Sequence, residues 1–185
     1  MARFNKFLAV LFCIVTIVLS VYNKDFKILL FLIYIILPFI FKIKHSYTLI
    51  YLIFGFIGLF FGFLLHLYKI LTWYDSFAHF LWGIISGLIA IIILKQIKMY
   101  NEKNLIFNLL FIIIFSLGSS CLWEIIEFII DTIFKSDMQR KSTGVYDTMK
   151  DVIVALLGNI LFTLWYFYEY KFDSKLLIRK YIDTL

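Results

Sequence analysis

The sequence predicts an all-α fold, a polytopic membrane protein built as a bundle of six transmembrane helices within one domain, residues 1–185. Three observations carry that prediction. Hydrophobic residues make up 63% of the chain and its mean hydropathy is +0.96, against roughly 45–50% apolar residues in soluble domains. The apolar residues fall in six runs separated by short polar segments. One Pro and eight Gly leave little material for linkers. A soluble chain of 185 residues has too little interior to hide that much apolar surface.

A helix needs about 20 residues, with a range of about 17–25, to cross the hydrocarbon core. The runs predict helices over approximately 7–22, 26–42, 47–68, 76–94, 105–133 and 148–168. Several are slightly short, and flanking aromatic and Lys side chains can extend them by reaching to the interface. The first run follows Arg3 and Lys6 as a signal peptide would. No A-x-A site follows it and Phe12 before Cys13 does not suit a lipoprotein signal, so a retained transmembrane helix is expected. The fifth run stays apolar past Asp131 to Phe134. That helix is expected to continue beyond the bilayer or to break and lie along its surface.

Orientation follows from Lys and Arg. Arg3, Lys6, Lys42, Lys44, Lys95, Lys98, Lys103, Lys171, Lys175, Arg179 and Lys180 fall on one side, eleven in all. Lys24, Lys27, Lys69, Lys135, Arg140, Lys141 and Lys150 fall on the other, seven in all. The first set is expected in the cytoplasm, with both termini, and the chain in a bacterial cytoplasmic (inner) membrane. Eight of the twelve acids fall on the outer side. The net charge of +6 is thus explained by topology, and no nucleic-acid partner is expected. Cys13 and Cys121 lie in apolar runs and suggest neither a disulfide framework nor a thiolate metal site.

Three of the predicted helices carry the chemistry. Asp75 and His79 are four apart at the start of the fourth, on one face. That face continues through Gly83, Ser86, Gly87 and Ala90, and Gly83–Gly87 is a GxxxG pair of the kind that lets membrane helices approach closely. On the fifth, Glu124 and Asp131 nearly eclipse, Glu127 lies about 60° away, and the face runs back through Ser120 and Ser116. On the sixth, Asp147 and Asp151 are four apart, on a face leading to Ala155, Gly158 and Asn159. A rise of about 1.5 Å per residue places Glu124 about 30 Å from Leu105, at the outer boundary where the other two pairs begin. The three pairs are therefore expected to converge in one polar pocket.

Asp75, His79, Glu124, Glu127, Asp147 and Asp151 are the candidate metal ligands, because carboxylates with one imidazole suit a divalent ion such as Mg²⁺, Mn²⁺, Fe²⁺ or Zn²⁺. The competing reading is a structural salt-bridge cluster, with charge supplied by Lys135, Arg140, Lys141 or Lys150. Acids at helix N-termini meet the dipole favourably, which covers Asp75 and Asp147 without any function. It does not cover Glu124 and Glu127, near the end of an apolar stretch. His66 and His45 read as ordinary.

At these residues the chain resembles the bacterial inner-membrane family typified by YjdF, which has no assigned role. The elements that carry the resemblance are Tyr74-Asp75-x-x-x-His79-Phe80 with Gly83, Trp123-Glu124-Ile125-Ile126-Glu127-Phe128, and Asp147-Thr148-Met149-x-Asp151 with Gly158. They span roughly residues 60–165. Phe128 stands where the family is expected to carry Trp, and Asp137-Met138-Gln139 aligns loosely with a Gln-containing family segment. A more distant similarity to VanZ-like membrane proteins is one of helix count and acid placement. The resemblance implies a shared polar site and no particular reaction.

Three functions compete. One is a metal-dependent enzyme at the outer boundary acting on a lipid or lipid-linked substrate. Another is a cation- or proton-coupled transporter, although no charged residue lies mid-bilayer and no inverted repeat is visible. The last is a structural or accessory membrane protein.

Overall fold

The computed structural model describes residues 2–23, 29–40, 45–135, 137–139 and 143–183, and every regular element among them is helical. Lys24, Asp25, Lys27, Lys42, Lys44, Arg140 and Lys141, which enter the charge count, lie outside the described residues, as do both ends of the second predicted helix. The chain divides into two compact units, Met1–Asp75 and Ser76–Leu185.

The first unit contains α1 (Ala2–Asn23), α2 (Leu30–Ile40), α3 (His45–Gly55), a π-helical continuation of α3 (Phe56–Leu64), and the single turn α4 (Leu67–Ile70). Ala9, Ile35 and Leu52 form its buried apolar centre, with Phe12 and Tyr51 packed against them. The polar side chains satisfy backbone carbonyls: Asn5 Nδ2 donates to His45 O at 2.6 Å and Tyr34 Oη to Tyr51 O at 2.8 Å. The helix predicted over 47–68 is interrupted. His66 takes a left-handed conformation (φ 58°), and the chain restarts as α4. A left-handed residue cannot continue a right-handed helix, so the run stops at Leu64 rather than at residue 68.

Four helices are long and apolar enough to cross a membrane: Ala2–Tyr22, Tyr74–Gln96, Leu105–Phe134 and Val145–Lys171. The apolar stretches Phe31–Ile40 and Tyr47–Gly62 are shorter. The described residues therefore define an all-helical protein with four candidate spans among them.

The second unit is built on α5 (Tyr74–Gln96), α6 (Leu105–Phe134), α7 (Val145–Lys171) and a short α8 (Ile178–Ile182). The boundary between units falls in the first turn of α5, so Asp75 is described with that helix. The small residues lie where α5 meets α7. A methyl group on Gly83 would strike the carbonyl oxygen of Ala155, and one on Gly158 would strike that of Phe80. Asn159 Nδ2 donates to Gly83 O at 3.2 Å across this contact. Apolar side chains gain nothing by leaving lipid for one another, so close backbone packing and interhelical hydrogen bonds hold such pairs together. Gly87 faces the Phe162 ring, as the GxxxG reading requires.

α6 packs on α5 in antiparallel register. Ser86 Oγ and Ser116 Oγ lie 2.7 Å apart, and Trp82 Nε1 donates to Ser119 Oγ at 3.2 Å one turn nearer the start of α5. α6 does not break: its 30 residues correspond to about 45 Å, so it outruns a bilayer core of about 30 Å. The apolar centre of this unit comprises Ala90, Ile91, Ile112, Phe162, Tyr166, Ile178 and Ile182.

The tail folds back through Glu169, which is fully buried. Its carboxylate accepts the backbone N–H groups of Leu177, Ile178 and Arg179 at 2.9, 3.1 and 2.8 Å, and the Trp165 indole N–H at 2.5 Å. Arg179 Nη1 reaches Glu169 O at 3.2 Å and Asp173 Oδ1 at 2.8 Å. Nothing in spacing or hydropathy marks Glu169 as different from any acid at a helix end.

The close approach at Gly158 is testable. Gly158→Leu is expected to destabilise the purified protein by about 1–3 kcal/mol or more, the usual cost of overpacking. Gly118→Ala, with no atom within 4 Å of the added methyl, is expected to be neutral or mildly stabilising. Thermal unfolding of both variants in the same detergent checks the pair.

Candidate functional site

The first turns of α5 and α7 and the second half of α6 come together at one end of this unit. Asp75 and His79 occupy one face of α5, and Asp151 lies one turn before Ala155 on α7, at the point where the two helices touch. Each of Asp75, His79 and Asp151 offers a ligand atom, and these atoms all lie within 4.8 Å of one another. His79 and Asp151 are 8% and 3% exposed, which removes them from bulk water.

Glu124 completes the group from α6. The register set by Ser86–Ser116 and Trp82–Ser119 places it opposite His79, with Oε1 3.9 Å from Nε2. Glu124 is 5% exposed, and its Oε1 makes no hydrogen bond. A buried carboxylate oxygen without a donor is costly unless a cation faces it.

The other two candidates are engaged differently. Asp147 is buried and receives Lys150 Nζ at 3.3 Å. The same ammonium lies 3.5 Å from Asp151 Oδ1, so Lys150 joins the two acids of α7. Glu127 accepts the Trp123 indole N–H at 2.8 Å, one turn back on its own helix and on its more exposed side. Four of the six residues therefore converge. Asp147 adjoins them through Lys150, and Glu127 is held by Trp123.

Two further residues shape the site. Gln139 Nε2 donates to Glu124 O at 3.0 Å and lies 3.5 Å from Glu124 Oε2 and 3.2 Å from Thr148 Oγ1. One side chain from the connection thus bridges α6 and α7 at the carboxylate. Asp131 fixes that connection by accepting Met138 N at 2.9 Å and Gln139 N at 3.0 Å. Lys135 (φ 55°) ends α6, and Gly144 (φ 48°) precedes α7 in a backbone conformation that L side chains rarely adopt. The helical wheel aligned Asp131 with Glu124; its use is to anchor the connection. Gln139 carried no periodic signal, because it belongs to no helix.

Donors of this kind, two or three carboxylates and an imidazole, fit a divalent cation with mixed oxygen and nitrogen coordination. The orphan Oε1 of Glu124 fits the same group.

Fold and site together define a polytopic α-helical membrane protein with a buried acidic and His-containing cluster at one end of its helices. The chain belongs to the family described as predicted membrane protein (DUF2238), whose model matches residues 4–171. No curated protein and no solved structure matches the chain significantly.

Asp131→Ala is expected to lower stability by about 1–3 kcal/mol, the scale for losing hydrogen bonds to a charged acceptor. It should also open residues 137–139 to protease. Asp131→Asn, which keeps one acceptor oxygen, is expected to fall between. Limited proteolysis and thermal unfolding of the two variants read both effects.

Proposed function

We propose that this chain binds a divalent cation through Asp75, His79 and Asp151, with Glu124 beside them, and acts as a membrane enzyme on a lipid or lipid-linked substrate. The observation that carries the reading is the approach of three ligand atoms from two helices to within 4.8 Å, with Glu124 3.9 Å from His79. When bound, such an ion polarises a phosphoryl or carbonyl oxygen and lowers the pKa of a coordinated water. Glu124, buried and carrying an Oε1 without a hydrogen-bond donor, would act as the general base by accepting a proton on that oxygen. Gln139 holds Glu124 through its carbonyl and carboxylate. The resemblance to YjdF-like proteins at these motifs, and distantly to VanZ-like ones, supports a shared polar site.

The topology that goes with this reading is six spans in a bacterial cytoplasmic membrane, both termini cytoplasmic, and the cluster at the outer boundary where lipid headgroups lie. The asymmetry of Lys and Arg supports it. Cysteines placed at positions 98 and 140 test the orientation: a membrane-impermeant reagent on whole cells is expected to label 140 and spare 98.

One observation favours a second reading. Lys150 already lies between Asp147 and Asp151, so the cluster can serve as a structural ion-pair network tying α5, α6 and α7 together. Metal content decides between the two. Wild type purified in metal-replete buffer is expected to retain about one divalent ion per chain, from the single ligand set. His79→Ala and Asp151→Ala are expected to lose it while still inserting, and Lys150→Gln to keep it. A metal-free wild type with an intact fold overturns the catalytic reading in favour of the structural one.

A further inference from the structure

We propose that residues 171–180 form a docking plate for the anionic headgroup surface of the bilayer that the chain spans. The proposal is independent of the metal reading, because it concerns the opposite end of α7.

The level of the interface at this end is marked by aromatic side chains. Trp165 is 42% exposed and Tyr168 is 49% exposed on the last turns of α7, and Phe172 packs on Tyr168 with ring centroids 4.8 Å apart. Exposed Trp and Tyr near the end of a membrane helix sit among headgroups. The chain beyond Lys171 therefore begins at headgroup level.

The tail is held there with a defined face outward. Glu169 takes the N–H groups of residues 177–179, Arg179 joins Glu169 O and Asp173, and Ile178 and Ile182 enter the core beside Tyr166. Burying Ile178 and Ile182 leaves Phe172, Leu176 and Leu177 outward, at 63%, 53% and 69% exposure. Lys171, Lys175 and Lys180 are exposed among them. The same end of the unit carries Lys95, Lys98 and Lys103 on and after α5. Glu102, Asp173 and Asp183 temper this charge, Asp183 through its 2.7 Å pair with Lys175.

Apolar side chains flanked by lysines, fixed at interface depth, match a surface of acyl chains beneath anionic headgroups. A soluble acidic protein would satisfy the lysines but has no claim on three apolar side chains already at bilayer level. The Lys171 ammonium over the Phe172 ring, 5.9 Å from its centroid, keeps charge and apolar surface together.

The test uses the full chain with Cys13→Ala and Cys121→Ala, a fluorophore on Leu177→Cys, and vesicles containing brominated lipids as quenchers. Two compositions are compared: phosphatidylcholine alone, and phosphatidylcholine with phosphatidylglycerol. The probe is expected to be quenched more strongly in the anionic vesicles, and that excess to fall as salt is raised. The triple variant Lys171→Gln, Lys175→Gln and Lys180→Gln is expected to lose the excess, each lysine shifting the docked-to-free ratio about fivefold. These positions are exposed, so the variant retains the fold, and a probe at Ile125→Cys, on exposed α6, reports insertion in parallel. Equal quenching in both compositions would overturn recognition of anionic headgroups. An unquenched probe at 177 beside a quenched one at 125 would overturn docking altogether.

Discussion

The contact on which the second unit depends is backbone against backbone, where Gly83 meets Ala155 and Phe80 meets Gly158. Lipid offers apolar side chains as good a solvent as another helix does, so the helices gain by approaching closely and by hydrogen bonding across the gap. Asn159 supplies that bond to Gly83 O. The contact also sets register. Asp75 and His79 stand about two turns and one turn before Gly83, and Asp151 stands one turn before Ala155. Fixing the glycines at the crossing therefore fixes the depth of the imidazole and both carboxylates. Ser86–Ser116 does the same for α6, and His79 and Glu124 face each other as a result. The polar cluster is positioned by residues that have almost no side chain.

A cluster of this kind shares charge unevenly. Lys150 is close to both acids of α7, whereas Glu124 keeps an oxygen with no hydrogen-bond donor. In a medium of low dielectric such a difference is large, because each unmet charge is felt at full strength by its neighbours. One ammonium between two carboxylates offsets part of the charge on the side of the cluster nearest Lys150. On the other side, Glu124 Oε1 lies 3.9 Å from the His79 imidazole.

Periodicity made much of this legible. The four-residue spacings of Asp75/His79 and Asp147/Asp151, together with the small residues below them, indicated which faces meet, and those faces do meet. Glu124 was legible for the same reason. The exceptions share a cause: spacing tells which face a residue occupies and not which neighbour it chooses. Glu127 is drawn to Trp123, Asp147 to Lys150, and Asp131 to two backbone N–H groups of the connection. Gln139 lies outside any helix, so no periodic argument could reach it. In the first unit the run over 47–68 is apolar apart from Thr48 and His66, and one polar residue near the end of such a run does not by itself specify the left-handed turn found there.

The clamp at Glu169 imposes an order on biogenesis. As a nascent chain emerges, α7 is complete at Lys171, but the groups that satisfy its buried carboxylate are the backbone N–H groups of Leu177, Ile178 and Arg179, up to ten residues later. Until those residues have been made, Glu169 must be hydrated or protonated, and Tyr166 lacks the cover of Ile178 and Ile182. α7 therefore cannot settle into its mature packing while it is the newest part of the chain. Its assembly waits on the tail, and a message cut short after codon 171 would yield a protein of nearly full hydrophobic length whose last helix carries an acid with the Trp165 indole N–H as donor and none of the three backbone N–H groups.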